Sequence, residues 1–193
     1  PEAHTMAVEV ELKAHVDNPD TLRARLRREG TPRRSYLKLD EYYGPGSSLE
    51  TARYRLRHDG DQFICTFKEK RIHAGIEENR ETEFTVSDGV AFRMLLQSLG
   101  LRQVITKRKE GTSFLVDGTL VELSHVEHLG WFVELERLLP DTADAAAVSE
   151  ARDQLRALLA RLEIPESSLE SRSYNRMIYE AVSSAAPAHG NPV

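Results

Sequence analysis

Glu9-Val10-Glu11-Leu12-Lys13 sets charged residues at every second position with aliphatic residues between them. A β-strand turns successive side chains to opposite faces. Val8 to His15 therefore reads as a strand with Glu9, Glu11 and Lys13 on one face and Val8, Val10 and Leu12 on the other. The arrangement returns along the chain. Arg53, Arg55 and Arg57 share a face against Tyr54 and Leu56, and Lys68 and Lys70 share one against Phe67. Glu81 pairs with Glu83, Lys107 with Lys109, and Glu134 with Glu136 against Val133 and Leu135. Solvent alone would explain any one of these faces. Six of them together call for another account.

The spacing between these strands supplies it. Asn18-Pro19 offers a cap and a first-turn proline for a helix over 19–29, which Gly30 ends. Strands are expected over 36–43, 53–58, 62–70, 77–86, 104–116, 120–126 and 131–138, with Asp59-Gly60-Asp61 and Asp117-Gly118 as hairpin turns. A second helix is expected over 88–99, capped by Ser87 and carrying the stripe Phe92, Leu95, Leu96 and Leu99. Further helices follow over 145–162 and 173–181. Strands mostly in hairpin order with helices between them indicate an α+β fold: an eight-stranded antiparallel β-barrel with helices packed outside.

Helices on the outside need apolar strand faces to rest on. Val10, Leu12, Leu56, Phe67, Val133 and Leu135 would then point outward and the charged faces inward. Unpaired charge away from water is very costly, so such an interior must be wet, cross-paired and occupied by ions. Crowded carboxylates on Glu9, Glu11, Glu81, Glu83, Glu134 and Glu136 suit a hard divalent cation, Mg²⁺ or Mn²⁺. Arginine and lysine beside them suit a phosphate chain. A compact polyanion with its metal fits both sets at once.

Composition narrows the classes. The 193 residues are 40% hydrophobic and 30% charged, enough for one domain. Residues 1–6 read as a tag remnant or extension, 7–181 as the domain and 182–193 as a disordered tail. A net charge of −5 argues against a nucleic-acid partner. No apolar stretch reaches membrane-spanning length and no signal peptide is visible, so the cytoplasm is expected. The single cysteine, Cys65, lies in the apolar run 63–67; it excludes thiolate metal clusters and reads as a core residue.

The first strand matches the ExExK signature of the CYTH proteins, the triphosphate tunnel metalloenzymes. The order of the other segments strengthens the match: Asp40-Glu41-Tyr42-Tyr43, Ala52-Arg53-Tyr54-Arg55, Thr66-Phe67-Lys68, Arg80-Glu81-Thr82-Glu83, Lys107-Arg108-Lys109 and the run from Val126 through Gly130-Trp131 to Glu136. That last run, with Ser173-Tyr174-Asn175-Arg176-Met177, resembles the class IV (CyaB-type) adenylyl cyclase branch.

The resemblance implies a tunnel holding a triphosphate with Mg²⁺ or Mn²⁺. Glu9, Glu11, Glu134 and Glu136 would bind metal. Lys13, Arg53, Arg55, Lys68, Lys107 and Lys109 would hold phosphates, with Glu81 and Glu83 completing an acidic wall. Glu11, Lys13 and Glu136 are the expected catalytic residues; Arg57 and Arg108 fit the basic strands by either spacing. Relatives usually carry an Asp where Ser124 stands, a position Glu122 could replace as a metal ligand, with His125 or His128 as other candidates. Tyr42, Tyr43, Trp131 and Tyr174 could stack on a base or simply fill a core.

Conversion of ATP to cyclic AMP and pyrophosphate is the expected reaction. Hydrolysis of tripolyphosphate, a nucleoside triphosphate or thiamine triphosphate is the alternative, and non-catalytic triphosphate binding a third. The outer apolar surface permits a homodimer.

Overall fold

The computed structural model describes residues 7–73, 76–140 and 142–185, with side chains described over 8–67, 82–140 and 142–184. Its strands are β1 (Ala7–His15), β2 (Thr31–Gly44), β3 (Tyr54–Asp59), β4 (Gln62–His73), β5 (Ile76–Val86), β6 (Arg102–Val116), β7 (Thr119–Val126) and β8 (Gly130–Pro140). The helices are α1 (Pro19–Glu29), α2 (Gly89–Ser98), α3 (Ala145–Arg161) and α4 (Tyr174–Ala185). The strands form one sheet in the order β1-β8-β7-β6-β2-β3-β4-β5. Its pairs β1–β8, β7–β8, β2–β3, β3–β4 and β4–β5 are antiparallel. The expected α+β class is borne out. Among the described residues no helix is long and apolar enough to cross a membrane.

The chain divides into two compact units. The first gathers β1, β7 and β8 with α1, α3 and the end of β6. Register fixes its faces, because directly paired residues point the same way. Leu12 lies opposite Leu135 and Ala14 opposite Val133, and Leu135 lies in turn opposite Val121. This apolar face packs into one core with Leu22 and Leu26 of α1 and Leu155, Leu158 and Leu159 of α3. Each fully buried aliphatic side chain contributes roughly 1.5–3 kcal/mol to that core.

The second unit gathers β3, β4, β5 and α2 with most of β2 and β6 and with α4. Here Tyr43 pairs with Tyr54, and Leu56 with Cys65. Tyr43, Leu56 and Leu96 of α2 make the buried core, flanked by Phe63, Val86 and Phe92. Burial pushes the Cys65 thiol up to about 11, in keeping with a core residue. The first unit thus sets α1 and α3, and the second α2, against apolar strand faces, as the alternation requires.

Several boundaries differ from the sequence reading, each for a local reason. Asn18 Oδ1 accepts the Thr21 N–H at 3.0 Å and starts α1 where expected. The cap of α2 is Asp88 rather than Ser87, because the Asp88 carboxylate accepts the N–H groups of both Val90 and Ala91 at 2.9 Å. Asp117 and Gly118 both take positive φ, 48° and 75°, the conformation of a tight primed hairpin turn. β2 begins at Thr31, five residues before the expected strand, where Ser113 Oγ accepts the Arg34 N–H at 3.4 Å. α4 runs to Ala185 and so takes in residues 182–185, which the sequence reading gave to a tail. Residues 1–6 and 186–193 lie outside the described residues.

Candidate functional site

The charged face of the first unit is acidic. Glu11 lies directly opposite Glu136 and Lys13 opposite Glu134, while Glu134 is also opposite Glu122 on β7. Glu9 and Glu11 are exposed; Glu122, Glu134 and Glu136 are half-buried. The expected metal-binding residues are therefore brought together on three adjacent strands. Burial pushes the Glu136 carboxyl up to about 7, and a hydrogen bond with Glu9 and the charges of Glu9, Glu11 and Glu122 act in the same direction. Like charges at this spacing raise one another's proton affinity unless a cation intervenes.

A carboxylate face of this kind fits a hard cation in its donor chemistry. Among the described residues, however, no three acidic, His or Cys side chains enclose a metal-sized space. Mg²⁺ commonly takes one or two carboxylates and completes its shell with waters and substrate phosphates, so a full protein cage is not required. Further along this face Ser124 lies opposite Phe132, and both are fully buried. The Ser124 Oγ has no hydrogen-bond partner. Gly111 presses on it: a Cβ at 111 would stand 2.4 Å from the Leu123 carbonyl oxygen and 2.8 Å from Ser124 Cα. Glu122, not Ser124, supplies the β7 carboxylate.

The charged face of the second unit is basic and cross-paired. Lys107 and Lys109 of β6 are buried, 8% and 6% exposed, whereas Arg108 between them is exposed. The lysine pair, rather than Arg108, joins this face. Asp40 of β2 lies opposite Arg57 of β3 and is 0% exposed. Arg57 donates through Nε and Nη2 to Asp40 at 2.6 and 2.9 Å, and Lys107 Nζ stands 3.0 Å from Asp40 Oδ2. Burial would push the Asp40 carboxyl up. The Arg57 hydrogen bond and the charges of Lys107, Arg57 and Arg55 overcome it and hold the group well below the usual carboxylate range. Arg57 is raised in turn: burial opposes its charge, and the Asp40 bond outweighs that.

The expected phosphate-binding residues separate accordingly. Arg55 donates to Thr66 Oγ1 at 2.8 Å and lies 3.4 Å from Glu83 Oε2, which also accepts from Thr66 at 3.0 Å. Glu83 thus belongs to the basic set's own bonding and not to an acidic wall. Arg53 is exposed just ahead of β3. The side chains of Lys68 and Glu81 lie outside the described residues, although their backbones pair across β4 and β5. Asp40 was missed as a site residue. No spacing along the chain signalled it, because its partners lie on other strands.

The aromatic and histidine candidates are mostly placed elsewhere. Tyr43 is fully buried in the helix-side core, where it donates to Glu41 at 2.9 Å. Burial and Glu41 push its hydroxyl up to about 12. Trp131 packs against the first core, with the Arg23 guanidinium 5.3 Å from its ring. His125 pairs with Trp131 on the helix side of β7, opposite in direction to Glu122, and its ring lies 5.4 Å from the indole. His128 takes a positive φ of 70° in the exposed turn that follows. Tyr174 does meet the basic face: its ring lies 5.3 Å from Lys107 Nζ and 5.7 Å from Lys109 Nζ. Tyr42 lies 5.9 Å from the same Lys107 ammonium.

Known proteins resemble this chain in sequence and fold. The adenylate cyclase CyaB of Aeromonas hydrophila is 26% identical over 151 residues, 76% of this chain and 78% of that protein. A solved structure of a Pyrococcus horikoshii OT3 protein superposes with a TM-score of 0.70 at 25% identity, covering 90% of this chain and 99% of that one. A conserved hypothetical protein of Pyrococcus furiosus gives 0.69 at 24% identity over 88% and 99%, a likeness of fold. The CYTH domain matches residues 7–174, from the first strand to the tyrosine over the buried lysines, and the chain belongs to the CYTH domain family.

Proposed function

We propose that this protein is a class IV-type adenylyl cyclase that converts ATP to cyclic AMP and pyrophosphate with Mg²⁺ or Mn²⁺. The observation that carries the reading is the division of charge. One strand face gathers glutamates, where burial and then the neighbouring carboxylates push Glu136 to about 7, and another gathers buried lysines and half-buried arginines around the buried Asp40. A metal–triphosphate complex is a ligand that both sets would favour. The choice of cyclase over hydrolase leans on the likeness to the Aeromonas hydrophila adenylate cyclase.

In this reading Glu9, Glu11, Glu134, Glu136 and Glu122 hold the cation. When bound, it would neutralise charge on the attacking and leaving oxygens. Lys107, Lys109, Arg55 and Arg57 hold phosphate oxygens, with Lys13, Arg53 and Lys68 as further cations for the same chain. Their work is positioning: the ribose 3′-hydroxyl must stand in line with the α-phosphorus for its oxygen to displace pyrophosphate. A hydrolase would instead aim water at the terminal phosphorus.

The test is purified protein with Mg²⁺ or Mn²⁺, given ATP and tripolyphosphate separately. Cyclic AMP with stoichiometric pyrophosphate is expected. Orthophosphate without cyclic AMP would replace the cyclase with a triphosphatase. Tight binding without either product would leave a triphosphate-binding protein.

A further inference from the structure

We propose that Asp40 is a positioning residue for phosphate recognition: its buried carboxylate locks the Arg57 guanidinium and the Lys107 ammonium into one donor set. The inference rests on the triphosphate reading above and goes beyond it by assigning a role to the buried acid between Arg57 and Lys107. Asp40 is 0% exposed, so its charge is held out of water at a cost of several kcal/mol before its partners are counted. Replacing such a buried ion pair by well-packed apolar residues is often neutral or stabilising. Stability alone is therefore a weak reason for an acid at this position.

Geometry supplies a better one. Two bonds from Nε and Nη2, at 2.6 and 2.9 Å, fix the plane of the Arg57 guanidinium as well as its location. The third partner, Lys107 Nζ, lies 3.0 Å from Oδ2 and 5.3 and 5.9 Å from the Tyr174 and Tyr42 rings. A guanidinium carries five N–H donors and an ammonium three. The bonds to Asp40 commit two of the first and one of the second, leaving roughly three and two to offer a phosphate chain. One carboxylate against two cations leaves the trio with net positive charge. A long lysine otherwise loses rotamer freedom on each binding event. Asp40 has it ordered in advance.

This role makes a prediction opposite to that of simple charge. A carboxylate beside a phosphate site repels the ligand, so removing its charge should tighten binding unless it also orders the donors. The experiment measures tripolyphosphate binding by calorimetry in the presence of Mg²⁺, for wild type, Asp40→Asn, Lys107→Gln and the double variant. Wild type is expected to bind and Asp40→Asn to bind about ten- to a hundredfold more weakly. The effect of Asp40→Asn is expected to shrink severalfold in the Lys107→Gln background, since Asp40 acts through that ammonium. Equal losses in both backgrounds, or tighter binding by Asp40→Asn, would overturn the inference while leaving the triphosphate reading in place. A wild type that binds no tripolyphosphate and no ATP overturns both. Should Asp40→Asn not fold, Asp40→Glu replaces it: the charge is kept, the carboxylate is displaced by one methylene, and the same loss is expected. Unchanged affinity in a folded Asp40→Glu would overturn the positioning role.

Discussion

On β1 and β8 Glu11 sits opposite Glu136; on β2 and β3 Asp40 sits opposite Arg57. Each pair lies on the strand face opposite the apolar core of its own unit, and each includes a carboxylate at least half-buried. In the first, burial and the neighbouring carboxylates together push Glu136 up to about 7. In the second, an acid is enclosed by cations and falls well below its usual range. Around Asp40 the chain supplies the opposite charge itself, with cations in excess of the acid. Around Glu136 burial and neighbouring glutamates act in one direction, and added positive charge would be stabilised there. Burial of charge alone therefore says little about function; the sign of the shift reports which charge surrounds the group.

The strongest way to break this contrast is at the acidic residues and Lys13. Glu11→Ala, Lys13→Ala and Glu136→Ala are each expected to lower turnover by about a hundredfold or more, with circular dichroism and thermal unfolding showing the fold intact. Retained activity in all three would remove the acidic face from the site.

A second test separates the two faces by pH. Glu136 titrates near 7 in the folded chain against an ordinary value of 4.5. The folded state then binds more protons than the unfolded one between those values, so this group lowers stability as pH rises from about 4.5 to about 7. Asp40 behaves oppositely. Its contribution is present above its ordinary value and is lost only as pH falls through a much lower folded value, so it is constant between pH 5 and pH 8. Glu136→Gln is accordingly expected to raise Tm at pH 8 by on the order of 3 °C and to change it little at pH 4.5. Added Mg²⁺ should narrow the gap at pH 8. An equal Tm difference at both pH values would show that the Glu136 carboxyl is not raised in the folded chain.

The smallest expected effect is at His125. Its ring packs on Trp131 on the helix side of β7, so His125→Ala should leave kcat within about twofold of wild type and affect only stability, by roughly 1 kcal/mol. A tenfold loss of kcat at unchanged Tm would return the imidazole to the chemistry.

Much of this was legible in the residues because it depends on a period of two. Alternation alone assigned Val10, Leu12, Val133 and Leu135 to the helices and Glu9, Glu11, Glu134 and Glu136 to the opposite face, and register bears out both. Local caps were legible where one side chain reaches one turn, as Asn18 does. The rest needed partners distant in sequence. Asp40 meets Arg57 across a gap of 17 residues and Lys107 across a still longer one, and no spacing rule links an acid on one strand to cations on two others. Asp88 displaced Ser87 as the cap because its carboxylate reaches two backbone donors at once. The end of α4 was set short because Ser183 and Ser184 read as tail, although Met177, Ile178 and Ala181 carry its apolar side onward.

The direct opposition of Glu11 and Glu136 has a consequence for how this chain can change. Because strand faces alternate, inserting or deleting one residue in β1 would carry Glu11 toward Leu155 and Leu159 and turn Val10 toward the carboxylates. Substitutions in β1 can be tried one at a time, each with a graded effect. A change of length moves the whole strand's chemistry at once, so the count of residues in this segment is constrained even at positions where the residue type is not.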